Sequence, residues 1–131
     1  MHMAGSVLVD TNVVVAYFRG DEVIHPHFAG VTPVYLPWVV LGELHFGAQR
    51  AQRRQEQLAY IRDLLTYAVV LFADQGTTEM YGEVKAELAR LGKPIPDNDL
   101  WIAAVARQHD LPLATRDTHF AQVPGLKTLA W

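Results

Sequence analysis

The chain has 131 residues, a length that suits one domain of ordinary size with a buried core. Half of the residues are hydrophobic and 19% are charged, which excludes a disordered chain, and the absence of cysteine excludes disulfides and thiolate metal sites. The net charge of −3 lacks the basic excess typical of nucleic-acid-binding proteins, although a nuclease whose carboxylates hold metal ions stays compatible with it.

Short apolar runs alternate with segments of helical periodicity along the whole chain. No apolar run approaches the roughly 18 residues of a membrane span, so we expect a cytoplasmic protein without a membrane segment. In chain order, the predicted elements are a strand at 6–9, helices at 11–18 and 22–29, a strand at 34–36, helices at 37–50 and within 51–65, a strand at 68–72, a long helix ending at Gly92, a helix at 97–110, and strands at 112–114 and 126–129.

This alternation of strands and helices predicts an α/β fold with a mostly parallel sheet that helices cover on both faces. The helix at 97–110 is apolar on nearly every side and should be largely buried. Two other helices carry apolar stripes, which are Leu58, Ile61 and Leu65 in one and Met80, Val84, Leu88 and Leu91 in the other. No linker or internal repeat interrupts the pattern, so we expect residues 1–131 to form a single domain.

Acidic residues recur where the predicted strands end. Asp10 follows the first strand directly, and Asp117 follows the strand at 112–114. Asp97 and Asp99 stand at the start of the buried helix, and Glu43 lies within an otherwise apolar segment. Because ligands bind outside the carboxyl ends of the strands in such sheets, these acids are candidates for one site.

Each of these acids also has a purely structural interpretation. Asp10 and Asp97 suit helix N-caps, and Asp99 suits the first turn of a helix because of the helix dipole. Asp117 could be an ordinary turn residue. Glu43 is harder to explain, since an unpaired carboxylate is costly to bury, but it could pair with an arginine or face solvent. Taken singly, the positions leave both interpretations open.

Taken together, four stretches form a recognisable pattern, namely VLVDTNVVVAYF, LPWVVLGELHFGA, PIPDNDLWIAAVARQHDLPLATRDTHF and VPGL. On these stretches the chain resembles a PIN domain and, more narrowly, the VapC toxins of bacterial toxin–antitoxin pairs. The resemblance extends from Val7 to the C-terminus, and its most specific part is DLWIAA followed by ATRDTHF. It implies a PIN-like fold with a central, mostly parallel sheet.

The resemblance places the family's acidic quartet on Asp10, Glu43, Asp99 and Asp117. It implies a metal-dependent ribonuclease in which Asp10 and Asp99 bind Mg²⁺, or Mn²⁺, and the other two acids complete the site. Oxygen ligands suit these ions, and a cation relieves the repulsion among four carboxylates. Asp97 could assist Asp99. The family's small polar partners match Thr11, Asn12 and Thr115, with Thr11 and Asn12 orienting Asp10 or capping the next helix.

The resemblance also implies partners. These are an RNA substrate, a cognate VapB-like antitoxin and a second copy of the chain, packed through the middle helices as a homodimer. Arg116, beside Asp117, is a candidate for contact with an RNA phosphate. The denser basic cluster at 50–54 is more simply a solvated helix face, and His119 is more simply a structural residue.

Two other functions remain open at this point. A PIN-fold module that binds RNA or a partner without catalysis would be expected to lack one of the acids. A phosphatase using Asp10 as nucleophile would be expected to carry a second aspartate two residues later, where this chain has Asn12.

Overall fold

The computed structural model describes residues 5–30 and 33–131. Within these residues, the strands are β1 Val7–Val9, β2 Val34–Pro37, β3 Ala68–Leu71, β4 Leu113–Ala114 and β5 Thr128–Leu129. The helices are α1 Thr11–Phe18, α2 Ile24–Ala29, α3 Trp38–Arg50, α4 Arg54–Leu64, α5 Gln75–Arg90 and α6 Asp97–His109, with a 3-10 helix at Thr118–Gln122. The described strands form one sheet in the order β3-β2-β1-β4-β5.

All neighbouring strands in this sheet run parallel, which confirms the predicted α/β architecture. All three residues of the central strand β1 are buried. Since successive side chains of a strand point to opposite faces, both faces of the sheet are covered at its centre. The predicted burial of α6 is also confirmed, because Leu100 and the run from Ile102 to Ala106 are buried.

The register of the sheet brings the ends of β1 and β4 together. Val9 lies opposite Ala114, so the next residues, Asp10 and Thr115, leave the sheet side by side. The backbone N–H of Asp10 donates to the carbonyl of Ala114 at 3.0 Å and extends this pairing by one residue. The central pair of strands therefore fixes where Asp10 stands.

Helix α6 is held against α5 by polar contacts near its C-terminal end. Asp74 caps α5, and the side-chain amide of Gln108 donates to the same Asp74 carboxylate at 2.7 Å. Arg107 pairs with Glu87 at 3.1 Å, with both side chains mostly buried. These contacts fix the helix whose other end carries Asp99.

Some predicted boundaries and stripe positions are wrong. Helix α2 begins at Ile24 instead of residue 22, because residues 22 and 23 form a turn in which the Asp21 carboxylate accepts the backbone N–H groups of Val23 and Ile24. In α4 the buried positions are Ile61 and Leu64, so the predicted stripe position Leu65 is 37% exposed. Within the described residues, no helix has both the length and the apolar character that a membrane span requires.

Candidate active site

A cleft of about 480 Å³ opens beyond the carboxyl ends of β1 and β4. The structure brings all four predicted carboxylates to it, those of Asp10, Glu43, Asp99 and Asp117. They come from the end of β1, from α3, from the first turn of α6 and from the segment after β4. The other residues that line the cleft are Thr11, Asn12, Val15, Ala16, Arg19, Asp21 and Arg116.

Asp10 is the most buried acid of the cleft, with 5% of the residue exposed. Its Oδ1 accepts the backbone N–H of Thr11 at 2.8 Å, and its Oδ2 accepts the hydroxyl of Thr115 at 2.6 Å. Burial raises the pKa of Asp10, the hydrogen bonds from Thr115 and Thr11 oppose the rise, and the charges of Glu43 and Asp117 add to it. Asp10 therefore both caps α1 and forms a wall of the cleft.

Two of the three small polar residues use their side chains on partners other than Asp10. The Thr11 hydroxyl donates to Glu43 Oε1 at 2.7 Å, so it orients Glu43 and not Asp10. The Asn12 side-chain oxygen accepts the backbone N–H of Arg116 at 3.2 Å. Of the three predicted partners, only Thr115 holds Asp10 through its side chain. Each of these bonds joins segments that are far apart in sequence.

Asp99 is an acid of the cleft whose ionised form is strongly disfavoured by its surroundings. Its side chain is 18% exposed. Burial and the charges of Asp10 and Asp117 together raise the pKa of Asp99 to about 6, against the opposing effect of His119. At neutral pH, ionisation of Asp99 places a further negative charge in a buried position beside other carboxylates, which costs free energy. A bound cation would offset that cost.

His119, which the sequence favours as a structural residue, lies against two of the cleft's acids. The 3-10 helix after Asp117 turns the chain back, so His119 Nε2 lies 2.9 Å from Asp117 Oδ1 and 3.8 Å from Asp99 Oδ2. The backbone N–H of His119 also donates to Asp117 Oδ1, at 3.0 Å. The sequence signal that could have placed His119 near the acids is its position two residues after Asp117, in a segment too short to form an α-helix.

The prediction that Asp97 caps α6 is wrong. Pro96 occupies the N-cap position in an extended conformation, so Asp97 is the first helical residue and its side chain makes no capping bond. Its Oδ1 instead accepts the Tyr81 hydroxyl at 3.0 Å and lies 3.5 Å from Lys85 Nζ. The side chain is 69% exposed and is not among those that line the cleft.

Two arginines lie at the cleft, of which only one was predicted. Arg116 donates from Nη2 to Asp21 Oδ2 at 3.1 Å and from Nε to the Trp131 carbonyl at 2.8 Å, so its guanidinium is already held in place. Arg19 was missed. It lies two helical turns after Asn12 and therefore on the same face of α1, a spacing that could have revealed it.

The donor set of the cleft fits a divalent cation. One ligand atom each from Asp99, Asp117 and His119 lies within 4.8 Å of the others. Carboxylate oxygens suit Mg²⁺ and Mn²⁺, and the imidazole adds a nitrogen that Mn²⁺ accepts readily. The raised pKa values of Asp10 and Asp99 show that uncompensated negative charge is costly here.

Comparison with known proteins gives consistent matches. The PIN domain family profile matches residues 7–126. The chain is 32% identical over 121 residues to ribonuclease VapC5 of Mycobacterium tuberculosis, covering 90% of this chain and 87% of that one. It is 37% identical over 94 residues to the tRNA(fMet)-specific endonuclease VapC of Shigella flexneri, covering 71% of each.

The structure also matches solved structures closely. DNA-bound VapBC from Salmonella typhimurium superimposes with a TM-score of 0.89 at 27% sequence identity, over 97% of this chain and 98% of that one. VapBC-5 from Mycobacterium tuberculosis matches with a TM-score of 0.77 at 29% identity, over 97% of this chain and 99% of that one.

Proposed function

The chain belongs to the PIN domain family, and from this premise we propose that it is a VapC-type toxin that hydrolyses RNA phosphodiester bonds in its four-carboxylate cleft. The observation that carries the proposal is the meeting of Asp10, Glu43, Asp99 and Asp117 in one cleft, because each comes from a different element. Four acids that serve only as caps or turn residues would have no reason to converge.

We assign Asp10 and Asp99 as direct ligands of Mg²⁺, with Mn²⁺ as the alternative ion. Glu43 and Asp117 complete the site, through waters or a second ion, and His119 lies close enough to Asp99 and Asp117 to share an ion with them. A bound divalent ion would lower the pKa of a bound water, orient the scissile phosphate and stabilise charge on the leaving oxygen.

The protein's own contribution is to hold these ligands in place. The Thr115 hydroxyl fixes one oxygen of Asp10 and the Thr11 backbone N–H fixes the other. The Thr11 hydroxyl fixes Glu43 from the neighbouring wall. Because these bonds exist before substrate arrives, little reorganisation is needed at the moment of reaction.

An assay of the purified protein with Mn²⁺ or Mg²⁺ tests the activity. We expect cleavage of single-stranded RNA that EDTA stops and added metal restores, with no inorganic phosphate released from phosphate monoesters. Phosphate release would instead indicate a phosphatase. Absence of both activities at saturating metal would favour a binding module and overturn the proposed function.

The relatives' assemblies indicate the partners. Several matching structures are VapBC toxin–antitoxin complexes, two of them bound to DNA. By this analogy we propose that a cognate VapB-like antitoxin binds this chain in the cytoplasm and holds it inactive.

We also propose a homodimer packed through the middle helices. Exposed apolar side chains on α3 and beside β3 support it, since Phe46 is 63% and Phe72 68% exposed. Light scattering of the antitoxin-free protein at micromolar concentration should give twice the chain mass of 14.7 kDa. A mass of one chain with cleavage activity intact would contradict a functional dimer.

A further inference from the structure

A second, smaller pocket adjoins the carboxylate cleft. Its volume is about 290 Å³, and it lies between α1, α3 and the start of α4. Val15, Arg19 and Glu43 line both the cleft and this pocket, so the two form one continuous depression. Glu43 is thus one of the proposed catalytic acids and also part of the boundary between the two spaces.

Small side chains on one wall make room in the pocket. Gly47 and Ala48 follow Glu43 by about one helical turn on α3, and Ala51 ends the helix. A Cβ atom placed on Gly47 would meet no atom within 4 Å. The other wall is apolar and includes the aromatic ring of Phe18. The pocket therefore has a mixed apolar and polar lining and adjoins the cleft at the residues that they share.

Two polar side chains add hydrogen-bonding capacity at this pocket. Gln57, on α4, offers a side-chain amide with both donors and an acceptor. Arg19 offers a guanidinium at the junction with the cleft, where it can meet a phosphate or stack on a planar ring. Among residues 5–30 and 33–131, neither side chain forms a hydrogen bond or ion pair, so both are available to a ligand.

We propose that this pocket binds one unpaired nucleobase of the RNA, on a nucleotide that flanks the cleaved bond. An aromatic ring, a guanidinium and a single amide edge are the groups that read unstacked bases in single-stranded RNA. The sugar–phosphate backbone joins a base to the adjacent phosphate, so a phosphate at the carboxylates places a neighbouring base at the shared boundary. The inference rests on the proposed ribonuclease activity and adds a site of base selection to it.

The test combines a filled pocket with a missing base. Gly47→Leu fills the pocket, and Gly42→Leu is the matched control, because Gly42 lies on the same helix, is exposed, has equally open space at its Cβ and lines neither pocket nor cleft. Short single-stranded RNAs with an abasic residue on either side of the cleaved bond remove one base at a time. The thermal shift on adding Mn²⁺ reports whether the carboxylates remain intact.

For the wild type and Gly42→Leu, we expect one abasic position to lower kcat/KM about tenfold or more, on the scale of one lost base–aromatic contact. Gly47→Leu should lower kcat/KM on intact RNA by a similar factor and should keep the thermal shift on adding Mn²⁺. With the abasic RNA, the kcat/KM of this variant should fall by less than about threefold relative to its value on intact RNA. Such non-additivity identifies a shared contact.

If the abasic residue lowered kcat/KM equally in Gly47→Leu and the wild type, the inference would be overturned. Loss of affinity for a protein partner in the variant would not rescue it. Gln57→Leu supplies a second measurement that leaves α3 untouched, and it should alter which base is preferred at the sensitive position. An unchanged preference would also count against the pocket. If the wild type cleaves no RNA at all, the proposed function itself fails, which is a distinct result.

Discussion

Asp99→Asn is expected to abolish metal-dependent RNA cleavage while the protein stays folded. The substitution removes the negative charge of a proposed direct ligand and changes little in shape. A loss of about 10²- to 10⁴-fold is expected, because a catalytic metal contributes several kcal/mol and each 1.4 kcal/mol is a factor of ten. The measurement is the initial rate of cleavage of a labelled single-stranded RNA at saturating metal.

Asp97→Asn is the matched control for this experiment. Asp97 lies two residues away on the same helix, but its exposed side chain contacts Tyr81 and Lys85 outside the cleft. The same change of charge at this position should leave cleavage within about twofold of the wild type, as expected of an exposed ion pair. If Asp97→Asn inactivated the protein and Asp99→Asn did not, the assignment of the metal ligand would be wrong.

Asp99→Asn should also raise the stability of the metal-free protein at neutral pH. The pKa of Asp99 is about 6 in the folded protein against an ordinary value of 3.8, so folding favours its protonated form. That contribution to stability is complete below about pH 4 and is lost as pH rises through 6. Asparagine keeps the neutral state at every pH.

We therefore expect Asp99→Asn in EDTA at pH 7 to be more stable than the wild type by on the order of 1–3 kcal/mol. The difference should vanish near pH 4. Urea unfolding at several pH values measures it, and a variant less stable than the wild type at pH 7 would contradict the raised pKa of Asp99.

Divalent metal is expected to stabilise the protein strongly. A ligand that binds only the folded state adds about 2.7 kcal/mol at a hundred times its dissociation constant. For a domain of this size, the corresponding rise in Tm is on the order of 10 °C. The measurement is thermal unfolding at pH 7 with increasing Mn²⁺, followed by EDTA, which should reverse the rise.

The effect of metal should depend on the acids of the cleft. Asp99→Asn should show a much smaller rise in Tm, whereas Asp97→Asn should match the wild type. Lowering the pH below 6 should weaken the effect, since protonated Asp99 is a poor ligand. An equal rise in the wild type and Asp99→Asn would place the bound metal elsewhere.

Local patterns in the sequence were sufficient to predict most of the fold. The apolar stretch after Asp10 predicts α1 at Thr11–Phe18, as the structure has it, because the preceding polar residue caps it. The end of α5 just before Gly92 was predictable because glycine readily adopts the positive φ, here 67°, that follows many helix ends. Periodicity failed where two leucines are adjacent, since Leu64 and Leu65 fit the stripe about equally well and only packing selects Leu64.

The positions of the site acids were predictable, whereas their contacts were not. The rule for parallel sheets brings acids at strand ends together, but the register of β1 against β4 decides that Thr115 and not Thr11 holds Asp10 through its side chain. At the start of α6, Pro96 takes the cap position for which the sequence favours Asp97. Such choices depend on backbone geometry and on residues distant along the chain.

The pairing of β1 with β4 also bears on how the protein is made. Asp10 is synthesised early, yet the strand beside it and the hydroxyl that holds it belong to residues 113–115. A nascent chain therefore cannot assemble the carboxylate cleft until nearly the whole sequence has left the ribosome, because non-local pairing has to wait for both partners. Chains released early by stalled translation would lack the site, so incomplete synthesis would yield inactive fragments and spare the producing cell from a partly formed nuclease.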